Sequence, residues 1–260
     1  MSSYLTFLRK ELTENIRTKR ILVLACVFIA FAITGALLAR YMGEFFAMVM
    51  PSYDETAQML IEIMGNPRWE EAYVQLYSQL GQVGVLAVVF MYMGTVQREI
   101  RSGTASLMFS KGMGYTPFIL AKFTMAGIIT TVITVVSALI TYVYTFVLFE
   151  EAGQIGNVIF GSLIFSAATL MMLAVVIMCS SFTKSSAVSG GLSFGAFFLL
   201  VVTTAIPRFG AYSPFSLFSF PVAISLGDVP QQLLVSILIA AALAVVSLLL
   251  AIRSVSKAEG

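Results

Sequence analysis

The chain has 260 residues, of which 59% are hydrophobic and only 11% charged, against about 25% charged in soluble domains. A water-soluble core of this length cannot hide so much apolar surface, so the solvent is lipid. A formal charge of +2 without a basic tail argues against a nucleic-acid partner, and the absence of histidine removes His proton relays, zinc triads, Ser-His catalysis and imidazole-bound copper or haem.

Residues 1–20 precede the first apolar run. The arrangement is too long for the apolar core of a secretory leader and lacks a small-residue cleavage site, so the first span is expected to stay in the mature protein. Tyr4, Phe7, Leu8, Leu12 and Ile16 recur three or four apart, with Arg9, Lys10, Arg17, Lys19 and Arg20 mainly elsewhere. That spacing predicts an amphipathic helix on the inner leaflet, an elbow that anchors the chain beside a cytoplasmic partner.

Charge-free stretches then give six spans at 21–39, 75–96, 123–149, 155–182, 186–206 and 231–252, each near the roughly 20 residues a helix needs to cross hydrocarbon. The expected fold is all-α: one polytopic membrane domain over 1–260. With the N-terminus inside, the inner segments hold Arg9, Lys10, Arg17, Lys19, Arg20, Arg98, Arg101, Lys111, Lys122, Lys184, Arg253 and Lys257. The outer ones hold Arg40, Arg68 and Arg208. The asymmetry places both termini in the cytoplasm of a cell carrying this chain in its plasma membrane. No Asp, Glu, Lys or Arg lies inside a span so drawn, which weighs against a proton-coupled carrier or a carboxylate-lined channel. Cys26 and Cys179 fall in apolar runs and read as small buried hydrophobes rather than a disulfide. Ser and Thr in the spans are expected to bond backbone or neighbouring helices.

The first outer segment, 41–74, is the longest polar connection. Pro51, Ser52 and Glu55 predict a capped helix bearing Met59, Leu60, Ile63 and Met64, and Asn66-Pro67 opens a second helix with Trp69 at the interface. Met42, Met48, Met50, Met59 and Met64 raise Cu(I) as a cargo, but flexible apolar packing is the plainer account. In the fifth span, Gly191-x-x-x-Gly195 predicts a close helix contact, within the bundle in preference to a dimer seam. The last outer segment, 207–230, holds four prolines, with only Arg208 and Asp228 charged. It predicts short re-entrant or interfacial helices, a lid at the outer mouth. Glu70-Glu71 and Glu150-Glu151 are carboxylate pairs without a companion base, at outer edges, so no catalytic residue and no metal site is expected.

Between the second and third spans lies a polar, basic island, REIRSGTASLMFSKGMGYTPFILAK. Ser102-Gly103 breaks the helix, Thr104 to Ser110 can form a short one, and Gly112 and Gly114 end it before Pro117. This stretch resembles the coupling region of type-2 ABC exporter permeases at Glu99, Gly103, Thr104, Leu107, Ser110 and Lys122. The usual Pro-x-Ser-Arg is replaced by Lys111-Gly112-Met113-Gly114. The resemblance extends to the layout of the whole chain. It implies a non-catalytic half-transporter driven by a separate cytoplasmic ABC ATPase, which would bind ATP and Mg; this chain has no phosphate-cradling G-x-x-x-x-G-K-[ST]. It also implies a second permease copy, as a homodimer or a heterodimer, in a lipid setting. Glu99, Arg101, Ser102, Gly103, Thr104, Leu107, Met108 and Ser110 would couple to the ATPase. Export of a hydrophobic or amphipathic cargo follows, with a peptide favoured over lipid, drug or copper. A secondary transporter and a non-transporting membrane protein are the alternatives.

Overall fold

A computed structural model describes residues 2–49, 68–204, 206 and 210–259. The expected features at Pro51, Ser52, Glu55, Met59, Met64 and Asn66-Pro67 lie outside the described residues. Among the described residues the secondary structure is helical throughout, and six helices are long and apolar enough to cross a membrane, as the hydropathy pattern predicts.

Helix α1 (Ser2–Arg17) is followed by α2 (Arg20–Val49); between them Lys19 adopts a left-handed backbone (φ 56°) that turns the chain. The second span is assembled in pieces: α3 (Glu70–Gln79), a π-helical turn (Leu80–Gly84), α4 (Val85–Tyr92) and, past a break at Met93-Gly94, α5 (Thr95–Arg101). The short α6 (Thr104–Ser110) leads to α7 (Tyr115–Phe149), α8 (Ile155–Phe182) and α9 (Ser186–Thr204). Two 3-10 turns, Gly210–Tyr212 and Pro214–Phe218, precede α10 (Phe220–Ser225), and α11 (Leu233–Glu259) closes the described chain.

Helix α8 is the axle of the bundle. Its most apolar stretch is 78% buried, against 22–50% for the other five spans, and α7, α9, α10 and α11 all pack on it. The remaining spans keep apolar faces outward, as helices bathed in lipid or in protein partners do. Hydroxyls inside the bundle mostly bond backbone: Thr130, Thr134 and Ser137 donate to carbonyls of their own helix at 2.8–3.1 Å. Thr141 reaches across to the Ala32 carbonyl of α2 at 3.2 Å. At the far end, Glu150 (φ 61°) and Gly153 (φ 70°) make the α7–α8 turn. The Tyr73 hydroxyl donates to Ala152 there at 2.8 Å, and the Trp69 ring lies so close that a Cβ on Gly153 would sit 3.0 Å from it.

The structure adds to or departs from the sequence expectations at three places. The helices run past the spans drawn from charge alone: α7 starts at Tyr115, so Lys122 lies about two turns inside it and is buried. A charge-free criterion excludes a lysine that the fold accepts because carboxylates meet it. Gly191 and Gly195 face out of the bundle with open space where a Cβ would stand; Gly190 is the glycine that packs inward, on Met93. Cys26 is exposed and Cys179 buried; both are free thiols.

Candidate functional site

The island at 98–122 forms one end of the bundle. Helix α6 spans the residues expected from sequence, and the turn before it is built by its own side chains. Gly103 takes the left-handed conformation (φ 72°), which glycine adopts at little cost. The Ser102 and Thr104 hydroxyls both donate to the Glu99 carbonyl, at 3.3 and 3.2 Å, capping the end of α5. After α6, Gly112 (φ 87°) reverses the chain.

Glu99 is buried, and its carboxylate belongs to an ion cluster at the junction of three helices. The Lys122 ammonium of α7, fully enclosed, lies 2.8 Å from Glu99 of α5 and 2.9 Å from Glu11 of α1. Lys10 of α1 pairs with Glu99 as well, and lies 3.2 Å from each of Glu11 and Glu14. Arg20, at the start of α2, reaches Glu14 at 3.7 Å and stands over the Tyr92 ring. The apolar floor is Phe7 against Phe118, ring centroids 5.7 Å apart, and the Lys122 ammonium is 5.0 Å from the Phe118 ring centre.

The cluster tunes its members. Burial opposes the Lys10 charge, but the Glu99 carboxylate it donates to, with Glu11 and Glu14 nearby, holds the ammonium well above the usual lysine range. Burial likewise opposes the Glu14 carboxylate, and the Lys122 and Lys10 charges overcome it and lower its pKa. Glu11, Glu14 and Glu99 lie close enough together to suggest a cation site; the two lysines already among them supply the positive charge.

On its other side α5 is held by neutral bonds. The Ser180 hydroxyl, from the end of α8, accepts from the Val96 and Gln97 amides at 3.1 and 3.2 Å, satisfying donors freed by the break at Met93-Gly94. The Gln97 amide donates to the Lys184 carbonyl at 2.8 Å and accepts from the Ser186 hydroxyl at 2.9 Å.

The expected site residues therefore divide. Glu99, Ser102, Gly103 and Thr104 shape the turn or anchor it. Arg101, Ser110 and Leu107, the last 63% exposed, face outward, and Met108 is half-buried. Between α1 and α6 a cleft of about 500 Å³ is lined by Thr6, Phe7, Lys10, Met108, Lys111 and Met113. Of the basic residues in the first helix, Arg9, Arg17 and Lys19 are exposed, while Lys10 and Arg20 turn into the cluster. Glu11, Gln97 and Ser180 were missed by sequence reasoning. Glu11 carried a signal: it follows Tyr4 and Phe7 at helical spacing, on the face that α1 buries.

Away from this end, a second cavity of about 790 Å³ opens between the second span, α9 and the 210–222 segment. Its walls are aromatic and aliphatic, including Tyr77, Phe197, Phe215 and Phe218, with Ser78, Gln82 and Ser219 as polar points and no charged side chain among the described residues. The π-helical turn contributes Gly81 and Gln82 to it; such turns recur at functional sites.

Among known families, the model described as ABC-2 family transporter protein matches residues 5–224. No curated protein matches the chain.

Proposed function

From the ABC-2 transporter family, to which this chain belongs as a non-catalytic membrane subunit served by a separate ATPase, we propose that it is the permease of an ATP-driven exporter. The Arg98 to Lys122 region is its contact with the ATPase. The observation that carries this reading is a short helix held by its flanks, with an apolar side chain turned outward. Leu107 of α6 is exposed next to an apolar cleft rimmed by Lys10 and Lys111, while Glu99 fixes the base from within. A partner that covers Leu107 removes apolar surface from water, worth roughly 25 cal/mol per Å².

Lys and Arg placement supports an orientation with both termini and α6 in the cytoplasm of a plasma-membrane protein. The outward face of Leu5, Leu12 and Ile16 on α1 supports its lying on the inner leaflet as an elbow. The aromatic cavity by the π-helical turn, uncharged among its described lining residues, supports a hydrophobic or amphipathic cargo, an amphipathic peptide among the candidates, and the packed 210–222 segment beside it supports a lid. Two permease copies with two ATPases form the working unit. ATP binding favours one arrangement of the helices over the other.

Co-purification with the ATPase tests the contact. Leu107→Asp and Arg101→Glu are expected to lower ATPase recovery at least tenfold while leaving permease yield unchanged; unchanged recovery from both refutes it. A thiol placed at Ser110 in a cysteine-free chain is expected to react with impermeant reagent only in opened cells, and labelling of intact cells overturns the orientation.

A further inference from the structure

We propose that Glu11 and Lys122 are positioning residues that bind α1, the α5–α6 turn and the start of α7 into a single moving body. This rests on the reading of the 98–122 region as the ATPase contact. Movement imposed on α6 then reaches the first helix and the third span together, and the yielding seam lies on the opposite side of α5, against α8 and α9.

The cluster's connectivity carries the inference. One enclosed ammonium, Lys122, serves two carboxylates on two other elements, Glu11 on α1 and Glu99 on α5. A second ammonium, Lys10, joins the same two carboxylates from the α1 side. The side chains of Lys122, Glu11 and Glu99 are 0%, 2% and 9% exposed. Drawing α5 or α7 away strands the Glu99 or the Lys122 charge without its counter-ion, the costly way to break such a pair, and drawing α1 away takes from Lys122 one of its two carboxylates. Packing alone does not call for this arrangement, since apolar residues of similar volume stabilise a junction as well or better. A charged junction instead selects one register among three helices.

The seam on the other side is of a different kind. Gln97, Ser180 and Ser186 join α5 to the α8–α9 loop by neutral hydrogen bonds, and each of these groups can exchange its partner for water at small net cost. The helix is already broken at Met93-Gly94, where a Cβ on Gly94 would stand 2.6 Å from the Ser186 hydroxyl. Close approach without covalent or ionic attachment suits a surface that slides.

Paired spin labels read this directly. In a chain freed of Cys26 and Cys179, labels at Arg17 and Ser110 report α1 against α6, and labels at Ser110 and Lys184 report α6 against the α8–α9 loop. In the isolated permease the 17–110 distance is expected to be narrow, and to broaden in Glu11→Gln, in Lys122→Met and in the charge-balanced double variant Glu11→Leu with Lys122→Met. Lys122→Arg should keep it narrow. The double variant removes one charge of each sign, so it separates the link from simple misfolding. Narrow 17–110 distances in all three disrupting variants overturn the proposal. In the complex with its ATPase, trapping with ATP and vanadate should shift 110–184 and leave 17–110 unchanged; a shift at 17–110 also overturns it. No shift at 110–184 in an assembled, ATP-hydrolysing complex defeats the docking reading, and with it the role in coupling. The isolated permease then shows separately whether the three helices are joined.

Discussion

Lys10 and Glu14 sit at the rim of the charged cluster, where their protonation sets how firmly the first helix is held. Glu14 has its pKa lowered in the folded chain from a reference of 4.5. Its contribution is therefore present above 4.5 and lost as pH falls through the depressed folded value. Lys10 has its pKa raised from 10.5, so its contribution is complete below 10.5 and lost as pH climbs through the elevated folded value. Attachment of α1 is thus expected to be flat with pH between these limits and to weaken outside them. Hydrogen exchange of α1 amides, corrected for intrinsic rate, measures this; a midpoint near neutral pH would contradict the assignment. Both side chains are partly exposed, so solvent screens the effect and added salt should reduce it. What was legible at this scale was the identity of Glu99 and Lys122 as notable positions. Their pairing was not, because a contact between residues 89 and 111 positions from their partners on α1 leaves no periodic trace.

At the scale of elements, apolar periodicity marks α1 well, yet it misses which part of the helix faces the bundle. Phe7, Glu11 and Asn15 are buried, whereas Leu5, Leu12 and Ile16 are exposed, since the lysine of α7 gives the Glu11 carboxylate an interior partner. The broken 207–230 segment was readable as short helices from its prolines and aromatics. The structure gives the packing that holds its described part. Leu217, Phe218 and Ile224 are buried, and Phe218 meets Phe165 of α8 with ring centroids 5.3 Å apart. Gly161 permits this approach: a Cβ there would stand 2.7 Å from the Ser225 hydroxyl and 2.9 Å from the Pro221 carbonyl. A backbone carbonyl cannot swing aside, so Gly161→Ala is expected to push α10 off α8 and cost about 1–3 kcal/mol. A thermal-unfolding midpoint equal to that of the unaltered chain would refute this. The π-helical turn had no sequence cue, because one surplus residue in an apolar run leaves its composition unchanged.

For the whole molecule, six apolar helices and a basic bias at one end were legible because lipid imposes length and charge rules on any chain that crosses it. The central position of α8 was hidden, since its sequence is as apolar as that of its neighbours and only packing distinguishes it. Ser254 of α11 donates to the Ser181 carbonyl of α8 at 2.9 Å, bringing Arg253 and Lys257 to the end that also holds Arg98, Arg101, Lys111 and Lys184. All six of these are exposed.

That gathering has an electrical consequence. Glu11, Glu14 and Glu99 have their charges answered inside the junction, so among the described side chains this end offers incoming proteins a field of one sign. It should draw an acidic surface from a distance and speed its arrival. Counter-ions blunt such attraction within about 10 Å at 0.1 M salt. The association rate of permease with ATPase is therefore expected to fall as ionic strength rises, while the dissociation rate, which the proposed apolar contact at Leu107 would govern, is expected to change little. Stopped-flow mixing across a salt series would reveal the two behaviours separately.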